Sequence, residues 1–326
     1  MVRGTAATAW STALVLACVP LLAGGCASTS HPPPAPPANR DEFRNAAREE
    51  DWLARVNVYR AAASLPPVTE DRVLSAGDRC HAAYIVKNEE LRHGEDFWNR
   101  FYTSRGRAAA EQSNLFQSSD ADDTDNWVID AWMQSPFHAV GLLDPRLREV
   151  GYGSYREPGG AVETGAALNV IAGIRRAPAV YPVFWPGDGS TVPLDQHWGG
   201  FPSPLSSCAD YAAPSGLPLI LQLGPGDLVP TVAASSLTSD GRLLEHCVFT
   251  ESSYRNPNQA QQHLGRSILA ARDAVVLVPR VPLTPGATYT ASISVGGRSY
   301  TWSFGVGSTA QARQALVSTV NPETGK

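Results

Sequence analysis

The stretch Trp132-Met133-Gln134-Ser135-Pro136-Phe137-His138, continued by Leu142-Leu143-Asp144-Pro145 and Val150-Gly151-Tyr152-Gly153, decides how this chain is read. An apolar helix end runs into a Ser-Pro break. Proline stops a helix and drives the residue before it out of helical geometry. A new turn then carries His138 between rigid flanks, so one imidazole is presented at the edge of a core. Upstream, Thr124 or Asp125 can cap a helix whose Trp127, Val128, Ala131 and Trp132 face inward. Farther upstream, Phe43, Ala47, Trp52, Val56 and Tyr59 step at helical spacing as far as Pro66-Pro67. Thr69 precedes a second apolar stripe of Val73, Ala76, Cys80, Ala83 and Tyr84, and residues 94 to 121 read as polar and irregular. Beyond Pro145 the pattern is strand-like, at Val150 to Tyr155 and Ala166 to Ala172. Helices first, with strands between and after them, predict an α+β sandwich over residues 41–176.

At 326 residues the chain exceeds one ordinary core, and the composition changes at Arg175-Arg176-Ala177-Pro178. Residues 178–307 are rich in Pro and Gly with short strands. Leu219 to Leu223 and Ala274 to Val278 read as buried strands, and Tyr289 to Val295 with Ser299 to Phe304 as a hairpin closed by Gly296-Gly297. This predicts an immunoglobulin-like β-sandwich. His197, His246 and His263 are scattered through it beside turns or polar runs, which suits surface or structural roles. Residues 308–326 read as a tail, with a short helix at 310–317.

The first 25 residues read as an export signal: Arg3 is their only charge, and the apolar run from Ala13 to Leu22 is too short for a comfortable membrane span. Leu22-Ala23-Gly24-Gly25-Cys26 is similar to a bacterial lipoprotein cleavage site, with Ala23 where Leu is usual, and makes Cys26 the expected lipidation site. Cleavage after Ala27 without a lipid is the alternative. Residues 26–40 include Pro32-Pro33-Pro34-Ala35-Pro36-Pro37 and read as an extended tether. Cys208 and Cys247 can form one disulfide, worth about 4 kcal/mol in the chain-entropy model. Cys80 reads as a buried small hydrophobe. A net charge of −5 without a Lys/Arg-rich run excludes nucleic acid as the expected partner.

Three groups can meet His138: His93 in Leu91-Arg92-His93-Gly94, Glu111 in Ala110-Glu111-Gln112-Ser113-Asn114, and Asp130 on the helix before the break. Two histidines with one or two carboxylates have the composition of an open divalent site, with Zn among the candidates and His93 and His138 as ligands. The same residues can instead serve as general base beside the hydroxyl of Ser113 or Ser135. Structural hydrogen bonding alone is the third option.

The first segment resembles a CAP domain, the superfamily of cysteine-rich secretory proteins, antigen 5 and pathogenesis-related proteins, in its bacterial SCP-like form. The likeness is carried by Leu53 to Arg60 with Leu65-Pro66-Pro67-Val68, Ala82-Ala83-Tyr84, His93-Gly94, Glu111 to Asn114, and Ala131 through Gly153. It implies an α-β-α sandwich with a cleft where two histidines and two acids converge. His93 then matches the first histidine, Glu111 the first acid, Asp130 the second acid and His138 the second histidine. Two positions depart from the family pattern. Ala110-Glu111-Gln112 stands for Gly-Glu-Asn with Asn114 displaced, and Phe137 replaces a Gly with a ring large enough to fill part of the cleft. The C-terminal segment resembles Ig-like modules attached to some bacterial CAP proteins.

Lipid binding, protein binding and weak proteolysis have all been attributed to CAP proteins, so the resemblance implies no single activity. The expectation is an exported, lipid-anchored binding module at the bacterial cell envelope. Its partner would be a small apolar ligand, an envelope component or a protein. No cofactor is required, though the cleft can take Zn or another divalent cation. The alternative is a hydrolase, metal-dependent or Ser-His-Glu, working in the same cleft.

Overall fold

A computed structural model describes residues 51–176 and 178–308. The expected export signal, the tether with Cys26, the helical positions Phe43 and Ala47, and the helix at 310–317 lie outside the described residues.

Helix α1 (Trp52–Ala62) starts at Asp51, whose side chain accepts the Ala54 N–H. It stops four residues before Pro66, where Ser64 turns left-handed at φ 58° and the Arg60 guanidinium reaches the Pro66 carbonyl. The prolines therefore lie in the loop that follows. Strand β1 (Thr69–Glu70) takes up Thr69, and Asp71 caps α2 (Arg72–Asn88) through the N–H groups of Val73 and Leu74. The stretch expected to be irregular contains α3 (Ser104–Ala110), capped by Thr103, and β2 (Ser113–Ser118). Next come α4 (Asp125–Met133), α5 (Pro136–Leu142), β3 (Glu149–Arg156) and β4 (Thr164–Asn169). Thr124 caps α4. Its buried positions are Asp125, Val128, Ile129, Trp132 and Met133, at i, i+3, i+4, i+7 and i+8. Trp127 falls off that stripe and is exposed rather than inward-facing.

The four strands form one sheet in the order β1-β3-β4-β2, with β1 parallel to β3 and the other pairs antiparallel. Helix α2 lies close on one face because two positions of β3 have no side chain. A Cβ at Gly151 would stand 2.5 Å from that of Leu74, and one at Gly153 would stand 2.1 Å from the Arg79 nitrogen. On the other face, Tyr152 stacks on Trp52 of α1 and meets Trp132 of α4 edge-on, with centroids 5.2 and 6.3 Å apart. Helices on both faces make an α-β-α layering. Cys80, on α2, is buried and is also disulfide-bonded.

The C-terminal half contains β5 (Val183–Trp185), β6 (Thr191–Val192), β7 (Gln196–His197), β8 (Ser215–Gly216), β9 (Leu219–Gln222), β10 (Val232–Ser239), β11 (Arg242–Leu243) and β12 (His246–Thr250). Helix α6 (Gln259–Ala270), β13 (Ala274–Pro279), β14 (Thr288–Val295) and β15 (Arg298–Val306) follow. They build a five-stranded sheet, β11-β10-β14-β15-β6, a four-stranded sheet, β12-β13-β9-β5, and the β7-β8 pair. Gly296 and Gly297 close the β14–β15 hairpin with φ of 58° and 74°, as a primed turn requires. Cys208 and Cys247 are bonded, with Cα atoms 5.7 Å apart. Two features exceed a plain antiparallel sandwich: β6 runs parallel to β15, and α6 intervenes between β12 and β13. The two halves share a core, since one apolar cluster runs from Val56, Trp132 and Leu143 to Trp185, Phe249 and Val276. No helix among the described residues is long and apolar enough to cross a membrane.

Candidate functional site

Pro136 occupies the first turn of α5 and holds Ser135 at φ −110°, ψ 118°, so a second helix starts where α4 stops. The Ser135 carbonyl accepts the N–H groups of His138 and Ala139, but its hydroxyl makes no cap and is buried without a partner. Two polar clamps fix α5. Asn114 on β2 donates to the His138 carbonyl at 3.2 Å. Arg60, wholly buried, donates to the carbonyls of Leu142, Asp144 and Leu147 at 2.7, 3.1 and 3.3 Å. Burial pulls the Arg60 guanidinium down to about 10, still cationic at neutral pH.

The loop bearing His93 is braced from α2. The ring nitrogens of His81 meet Glu95 Oε1 and the Arg92 carbonyl, both at 3.0 Å, and Glu95 Oε2 accepts the Thr103 N–H at 2.8 Å. His93 then donates from Nδ1 to the Ala110 carbonyl at 2.8 Å, which leaves Nε2 as an acceptor. Burial lowers the pKa of His93. It lowers that of His138 to about 4, with His93 and His197 adding a smaller like-charge effect. Both imidazoles are neutral at neutral pH.

His93, Glu111 and His138 line one cleft of about 350 Å³. Its polar margin continues through Gln112, Ser113 and Asn114, and Phe137, Val170 and Ile171 supply apolar surface from the same half. The opposite wall comes from the C-terminal half, as Phe201, Pro202, Leu264, Ile268 and Arg272. Phe137 leaves the cleft open. Its ring turns toward the C-terminal half, edge-on to Tyr254 at 4.9 Å and stacked with Phe249 at 6.1 Å. Gly265 of α6 leaves room there, since a Cβ would come within 3.1 Å of the Phe137 ring and 2.6 Å of the Tyr254 ring.

Asp130 is not in the cleft. Arg55 holds both its carboxylate oxygens, at 2.6 and 2.7 Å, and the Tyr59 hydroxyl donates to one of them at 2.6 Å. Those bonds clamp α4 to α1 and remove the second acid from the expected tetrad. Glu111 sits at the rim in contact with Arg107 at 3.4 Å. Two neutral imidazoles remain, and among the described residues no group of three or more His, Cys, Asp or Glu side chains could hold a metal ion. The expected divalent site does not fit this donor set. No contact supports the serine alternatives either. Ser113 donates to Asp78 Oδ1 at 2.7 Å, and neither Ser113 nor Ser135 is hydrogen-bonded to an imidazole.

Residues 53–171 match the model of the cysteine-rich secretory protein family, CAP. That segment, from α1 to the end of β4, is thus a CAP domain. No curated protein matches the chain.

Around the cleft, Asp78, the edge of α6 and Phe201 were not singled out from the sequence, and His197 takes the structural role expected of it. Asp78 lies behind Ser113 with Oδ2 buried and unpartnered, and burial pushes its carboxyl up to about 7. His197 is fully buried and donates from Nδ1 to the Gln134 carbonyl, at the break that opens α5. Leu264, Ile268 and Arg272 follow one another at four-residue intervals through α6 and just past it. That spacing was a usable signal for a helix edge. Phe201 had none, being one aromatic residue in a Gly-Pro loop.

Proposed function

We propose that the CAP domain and the C-terminal half together form a binding module whose cleft receives a small, largely apolar ligand. One observation carries this: apolar side chains from both halves close around about 350 Å³ whose two imidazoles are neutral. With Phe137 turned aside, that space stays available. We read the C-terminal half as an elaborated Ig-like module. Its two sheets support this, and α6 is the addition that reaches the cleft. An export signal with Cys26 as lipid anchor would place the module at the cell envelope, where an envelope component is the natural source of such a ligand.

The test is a titration with the neutral fluorophore N-phenyl-1-naphthylamine. A saturable rise with one site per chain is expected. Leu264→Asp, at a half-exposed wall position, should weaken it by roughly tenfold, the loss expected for one apolar contact face. Absence of saturable binding, or equal binding by the variant, would remove the cleft as the site.

A further inference from the structure

Arg272 is the one strong cation among the side chains of the cleft, and it lies outside the segment that matches the CAP family. It is only 7% exposed, and burial lowers its pKa. A buried guanidinium is costly unless its charge and its N–H groups are met. Here they are met poorly. The nearest carboxylate is that of Asp144, which Arg146 already grips at 2.9 Å through Nε and 2.8 Å through Nη2. Nε of Arg272 approaches the same Asp144 Oδ2 at 3.2 Å without reaching hydrogen-bond geometry. Two guanidinium groups therefore share one carboxylate. Apart from that approach to Asp144, the Arg272 guanidinium makes no hydrogen bond to another described residue, and Nη2 lies beside Gly141, 3.9 Å from where a Cβ would stand. Gly141 and Arg272 both line the cleft, so this end of the guanidinium borders it. The other charged side chain of the lining, Glu111, faces Arg107 at the rim.

We propose that the ligand of this cleft is an organic monoanion. Its carboxylate-type headgroup would pair with the free face of Arg272, and its apolar body would lie along Phe201, Leu264 and Ile268. This rests on the cleft being the binding site and adds the chemical class of what it binds. A planar guanidinium suits a two-oxygen headgroup better than a single hydroxyl does.

The experiment is displacement of N-phenyl-1-naphthylamine from the full chain by decanoate and by decan-1-ol, matched in apolar length and different in charge. Decanoate is expected to compete at least tenfold better. In Arg272→Met that preference should collapse, and in Arg272→Lys it should survive in part. Equal competition by acid and alcohol in the wild-type protein overturns the anion site while leaving the apolar cleft standing. A fluorophore that does not bind at all removes the cleft reading itself. Should Arg272→Met fail to fold, the wild-type comparison still decides. A preference for decanoate that persists undiminished in a folded Arg272→Met protein overturns the assignment to Arg272.

Discussion

Asp78 and His138, both beside the cleft, couple folding to pH with opposite signs. Burial raises the Asp78 carboxyl from an ordinary 3.8 to about 7. Between those values the folded protein keeps a proton that the unfolded chain has lost, so stability falls as pH rises. Burial lowers His138 from 6.5 to about 4. Between those values the unfolded chain takes a proton that the folded protein refuses, so stability falls as pH falls. Each group contributes a slope of about 1.4 kcal/mol per pH unit, and from about pH 4 to 6.5 the two oppose one another. His93 and His197 are lowered as well and add to the histidine side. In Asp78→Asn, melting temperature should therefore drop steadily from pH 6.5 to 4.5, and more steeply than in the wild type. In His138→Gln that acid loss should shrink or reverse. Calorimetry over this range checks it, and parallel curves for all three proteins would sink it. His93 and His138 were legible in the sequence because each stands in a short, recognisable run. Asp78 and Arg272 were not, since an isolated Asp on a helix or an Arg after one acquires meaning only from what surrounds it.

Among the elements, α5 and α6 matter most, because their contact joins the matched segment to the rest. Phe137 enters a niche formed by Phe249, Tyr254 and the bare Cα of Gly265. Phe137→Ala should destabilise the protein by about 3–5 kcal/mol, the usual cost of deleting a buried ring. Denaturant unfolding measures this, and a loss below about 1 kcal/mol would show that the ring contributes little to the junction. The main helices and hairpin were legible from periodicity and from Gly296-Gly297. The short α3 and β2 were not, because seven and six residues barely establish a period. Asp130 was misplaced for a related reason. Its spacing from His138 fits a tetrad, but α4 turns it toward Arg55 and Tyr59. Helix α6 had an Asn258 cap and an apolar edge, yet the glycine and polar residues around them hid the pattern.

For the molecule as a whole, the shared core and a cleft with walls from both halves make the C-terminal half part of the candidate site. If Cys26 is the anchor, the full chain should fractionate with membranes and Cys26→Ser should move to the soluble exported fraction. Unchanged membrane retention of that variant would refute the anchor. The matched segment supplies the sandwich, the histidine pair and the polar margin, whereas Phe201, Leu264, Ile268 and Arg272 belong to the other half. The scaffold and, on the proposed reading, the selectivity of the cleft are thus written in separate stretches of one gene. Changes along one edge of α6 and one loop could retune what the cleft admits while the sandwich beneath stays as it is, much as a socket accepts a different fitting.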